Sequence, residues 1–156
     1  MTGIGMLSVE DQMAIESHIK DFLVKSESQW GALVDRGGNL FAENGDIGQV
    51  DLMIMCALAA GSFAATKELA KRLGEGEFTA LYHEGSNMSI LMTSLHFDCL
   101  LITVFTGNTN IGLVRFYAQQ TAGTLNQCLL SASESAANAE PLLLDAEYSG
   151  DQNIIS

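Results

Sequence analysis

The side chains that could do chemistry are few and far apart. Histidines stand at positions 18, 83 and 96. They fall on what reads as a helix, a strand and a turn, which suits structural histidines better than ligands. His83-Glu84 begins the H-E pair of a zinc protease, but Asn87 stands where the second histidine would be. Cys56, Cys99 and Cys128 could act as nucleophiles only beside a base, and no such pairing is visible. They make neither a complete disulfide set nor a zinc spacing, and their apolar neighbours suit reduced core cysteines. Asp35 and Glu43 flank a hairpin and read as solvated carboxylates. Arg115, the lone basic residue of the C-terminal third, could be an arginine finger or a salt-bridge partner. Neither a P-loop nor a G-x-S-x-G elbow occurs; Gly37-Gly38 and Gly45…Gly48 read as turn glycines. The expectation is a protein with no catalytic residues, cofactor or metal of its own.

The elements around these residues are easier to read. Ser8-Val9-Glu10-Asp11 has the form of a capping box, and Ile15, Ile19, Phe22 and Leu23 follow as a helical stripe ending near Glu27. Gln29–Asp35 and Leu40–Glu43 form a hairpin about Arg36-Gly37-Gly38. A second helix runs from about Asp51 to Leu73, with Gly74 placed as its terminator. Three strand-like runs follow, Phe78–His83, Met88–Leu95 and Cys99–Thr106, joined by connections short enough to imply antiparallel neighbours. The last is apolar on both faces, so both faces should be covered. Thr109 or Asn110 can cap a third helix that buries Ile111, Val114, Ala118, Ala122, Leu125 and Leu129. It fades over 131–139, and Pro141 should close it. The order α-β-β-α-β-β-β-α predicts an α+β fold, a five-stranded antiparallel sheet with helices on both faces.

A chain of 156 residues with 47% apolar content builds one domain with a real core. We read it as a flexible N-terminus at 1–7, a domain over 8–139 and an acidic, disordered tail at 140–156. The net charge of −12 argues against nucleic acid and anionic membranes. No basic residue lies beyond Arg115, whereas Glu134, Glu140, Asp145, Glu147 and Asp151 follow Ser133. The start MTGIGML lacks the basic region of a signal peptide, and the uncharged run 52–66 is short for a bilayer span. These features predict a soluble cytoplasmic protein without membrane insertion.

The second helix is the unusual element. Met55, Leu58, Ala65, Leu69 and Leu73 make one stripe, expected to face the sheet. Ala57, Ala60, Gly61 and Ala64 make a second, nearly bare one. Small residues at that spacing admit another backbone closely. Two readings are open: close packing within the fold, helped by alanine's helix propensity, or a protein-binding surface with Lys67, Glu68 and Lys71 as its polar rim.

The pattern resembles the roadblock/dynein-light-chain domain, in its bacterial MglB-like branch, whose members regulate a Ras-like GTPase in polarity and gliding motility. Four segments carry the resemblance: Ala32–Leu40, Leu58–Lys71, Glu77–Gly85 and Ile111–Arg115. The resemblance covers roughly residues 8–132. The resemblance implies a homodimer whose sheets join across the third strands, here Phe78, Thr79, Ala80, Leu81, Tyr82 and His83. The paired second helices would then bind a small Ras-like, MglA-type GTPase. The contacts would fall at Ala57, Ala60, Gly61, Ala64, Lys67 and Glu68. It further implies a GTPase activator that inserts no catalytic residue and aligns the GTPase's own arginine and glutamine. Roadblock domains also serve as non-catalytic dimeric scaffolds for GTPase or motor-complex partners, which is the alternative.

Overall fold

The computed structural model describes the backbone of residues 7–155 and the side chains of residues 7–138. Of the N-terminal segment 1–7, all but Leu7 lies outside the described residues.

Helix α1 spans Val9–Ser26. Its capping box forms as expected: the Asp11 N–H donates to Ser8 Oγ and the Ser8 N–H to Asp11 Oδ2, each at 3.0 Å. Strands β1 (Trp30–Val34) and β2 (Leu40–Gly45) make the first hairpin. Helix α2 covers Leu52–Arg72, with Asp51 as its cap. Then come β3 (Ala80–His83), β4 (Met88–Ser94), a single 3-10 turn at His96–Asp98, and β5 (Leu100–Thr106). The strands form one antiparallel sheet in the order β2-β1-β5-β4-β3.

The sheet separates two cores, and strand alternation sorts the residues between them. Leu33, Leu91, Leu101 and Phe105 join Ile15, Ile19 and Phe22 of α1 and Val114, Ala118, Leu125 and Leu129 of the third helix. On the other face Trp30, Ala32, Val34, Met92, Leu100, Ile102 and Val104 meet α2. Strand β5 is buried on both faces from Leu100 to Phe105, as its unbroken apolar run requires.

Three departures from the sequence reading have physical causes. β3 begins at Ala80 rather than Phe78, because the Phe78 ring packs on Phe63 at 4.9 Å between centroids instead of continuing the strand. In β2, Ala42 pairs with Leu33 and Leu40 with Val34, which leaves Phe41 as a bulge residue; its carbonyl accepts a bond from Gln12 Nε2 of α1 at 2.8 Å. Helix α3, capped by Asn110 Oδ1 at 3.0 Å from the Leu113 nitrogen, runs Ile111–Ile155 and does not stop at Pro141. Proline's fixed φ is helical, and its missing N–H removes one rung of the ladder.

Candidate partner-binding face

The structure gives the reactive-looking residues structural work. Asp35 Oδ1 accepts the Gly37 and Asn39 N–H groups at 2.9 Å each, tying the β1–β2 turn. Glu43 accepts the indole N–H of Trp30 at 2.8 Å. Gly38 has φ +84, and a Cβ there would stand 2.6 Å from the Cα of Ala57, so this turn touches the α2 backbone. Burial, with a smaller contribution from Asp35 and then Asp98, pushes the Cys99 thiol up to about 12. Burial, then Glu43, raises Cys56. Burial and then Asp11 raise Cys128, partly offset by a backbone hydrogen bond. All three thiols are free and held protonated, the opposite of an activated nucleophile. Among the described residues no His/Cys/Asp/Glu group could hold a metal ion. Arg115 is exposed on α3, across the sheet from α2.

Helix α2 is where the structure departs most from expectation. Its inward face is Cys56, Ala59, Ala60 and Phe63, with Leu52 and Met55 partly buried beside them. Leu58, Leu69 and Leu73, expected against the sheet, are 68%, 59% and 76% exposed. Ala60, expected on the outer surface, is 3% exposed and belongs to the core. The cause is that this helix is apolar nearly all round, so spacing alone cannot fix its rotation. Phe63, with Cys56, Ala59 and Ala60 on its side, wins the sheet because those small residues let the helix lie close. Met55 is the one bulky member of the expected inward stripe that packs against the core.

Two outward lines therefore run along α2. One is mostly bulky: Ile54, Leu58 and Leu69, with Ala65 between them. The other is small and then charged: Ala57, Gly61 and Ala64, followed by Lys67, Glu68 and Lys71. By length and mean hydropathy (1.4 over an 18-residue window) α2 is apolar enough to cross a membrane, and only 22% of that window is buried, through the side that packs on the sheet. An exposed apolar surface of this kind on a folded domain marks an interaction site.

Beside the second line lies a groove of about 280 Å³, floored by Ala60, Phe63, Ala64 and Leu100 and edged by Arg36, Lys67 and Lys71. Asp98, in a left-handed backbone conformation, pairs with Arg36 at 3.4 Å and Lys67 at 3.5 Å. Glu68 pairs with Arg72 at 3.4 Å. Past the end of α2, strand β3 forms a sheet edge, its outer side unpaired among the described residues.

A model of the Roadblock/LC7 domain matches residues 21–105. Among solved structures the chain is similar to MglB of Myxococcus xanthus, at 30% identity and TM-score 0.72 over 76% of this chain and 96% of that one. It is similar to the gliding protein MglB of Thermus thermophilus, at 24% identity and TM-score 0.75 over 81% and 96%. It also resembles an MglB with a tetrameric arrangement, at 25% identity and TM-score 0.76 over 81% and 96%. No curated protein sequence matches the chain. The domain match spans more than half of the chain and the observed strand order is that of the roadblock fold, so the protein belongs to the Roadblock/LC7 domain family, in its MglB-like branch.

Proposed function

We propose that this protein is a homodimeric activator of a small Ras-like GTPase of the MglA type, acting in the cytoplasm. The observation that carries the reading is the α2 surface: a bulky line and a bare line, both unpartnered, beside a free sheet edge. Two copies joined across β3, through Ala80, Leu81, Tyr82 and His83 with Phe78 and Thr79 leading in, bring their α2 helices side by side. The bulky lines then cover one another. The bare lines, Ala57, Gly61 and Ala64 with Lys67 and Glu68, form the platform for the GTPase. Ala60 supports this platform from beneath. The domain over 8–139 carries the platform, and the acidic residues 140–156 stand outside it.

This face is mostly apolar and its one carboxylate, Glu68, is paired with Arg72, which supports activation by binding the hydrolysis-competent GTPase better than the resting one. The test is single-turnover phosphate release from a GTP-loaded MglA-type GTPase of the same genome. The expected acceleration is on the order of tenfold or more. Ala64→Arg should abolish it and leave the dimer intact. Tight binding with an unchanged rate would convert the reading to that of a scaffold.

A further inference from the structure

The groove beside Ala64 has a composition unlike the rest of the molecule. The chain carries a net charge of −12 and only seven lysines and arginines. Three of the seven, Arg36, Lys67 and Lys71, edge this one groove. Asp98 answers Arg36 and Lys67 across long contacts of 3.4 and 3.5 Å, and its side chain is half-exposed. Glu68, the other carboxylate at the rim, is drawn to Arg72. Lys71 has no ion pair among the described residues. The groove thus keeps unspent positive charge above an apolar floor. A bare inorganic anion would make no use of Phe63 and Leu100; a peptide segment carrying both carboxylates and apolar side chains would use floor and rim together.

We propose that this groove receives an acidic segment of the GTPase, whose carboxylates pair with Lys71, Lys67 and Arg36. The inference rests on the activator reading and deepens it. Ala64 lines both the groove and the bare line, so a partner seated on the platform reaches the groove without a gap. The chain's own acidic end is the other source of carboxylates. The α3 backbone continues as helix to Ile155, on the far side of the sheet from α2, and a continuous helix does not turn back onto this face. Because the molecule as a whole repels anions, the groove acts as an anchor that sets the partner's register rather than as a long-range attractor.

The test uses the full chain with the GTP-loaded MglA-type GTPase. Carbodiimide coupling, which joins a lysine amine to a carboxylate in contact with it, should link Lys67 or Lys71 to aspartate or glutamate of the GTPase and leave Lys20 and Lys25 unlinked. Lys67→Glu/Lys71→Glu should weaken the complex by about tenfold or more, and the gap from wild type should narrow as salt rises. Lys71→Glu alone, at an exposed and unpaired side chain, gives the same direction without risk to the fold. Wild-type affinity in these variants, with no groove cross-links, overturns the anchor and leaves the activator reading standing. Links from Lys67 or Lys71 to residues 140–151 of the chain itself also overturn it, because the occupant is then the tail. Failure of the wild-type protein to bind the GTPase at all removes both.

Discussion

Cys99 shows what this interior does to a side chain that looks reactive in the sequence. Its thiol is buried just before β5, near Asp35 and Asp98, all of which favour the protonated form. The linkage follows from the sign. The folded-state pKa is about 12 against an ordinary 9.0, so between those values the unfolded chain loses the proton that the folded chain keeps. Stability from this group is therefore full below pH 9 and declines as pH rises from 9 toward 12. Denaturant unfolding at pH 8, 9.5 and 10.5 should show that decline, and Cys99→Ala should lessen it, leaving the smaller part due to Cys56 and Cys128, while lowering stability at pH 8 through the lost packing. Residue-scale roles were only partly legible beforehand. The capping box declared itself because cap chemistry is local. That Glu43 holds Trp30 and that Gly38 rests on Ala57 depend on contacts between strands and across layers, which spacing along the chain does not record.

The helices and strands were largely legible, because period-2 and period-3.6 patterns survive wherever one face is polar. α1 and the described part of α3 show this, with Ile15, Ile19, Val114 and Leu125 buried where the pattern puts them. α2 defeats the method for the same reason. Its apolar residues surround the axis, so the pattern has no phase, and Phe63 with the small residues beside it settles which way the helix faces. The corrected rotation yields a test that the sequence alone would have misassigned. If Leu58 and Leu69 were core residues, Leu58→Lys/Leu69→Lys would unfold the domain. As exposed residues proposed to meet a twin helix, they should tolerate lysine: the melting temperature of the monomer should stay within a few degrees, and sedimentation should show loss of the dimer. Unfolding of the variant would restore the original rotation.

At the scale of the whole molecule, the sheet has two ends of different character. The β3 edge is regular, and pairing there should give a particle of twice the 16.7 kDa chain mass. That mass should hold as concentration is raised well past the dimerisation range, with light scattering as the measurement. The expectation follows from the far end of the sheet. In β2 the Phe41 carbonyl turns out of the ladder and is held by Gln12, and α1 packs along the same strand. A bulged edge whose acceptor is already taken is a poor template for another strand. Of the two sheet edges, β3 is therefore the one open to another strand, and a pair formed through β3 would present two β2 edges. The Gln12–Phe41 contact, local as it is, would then work as a stop on growth: a sheet extended through β3 would not go on to propagate through β2.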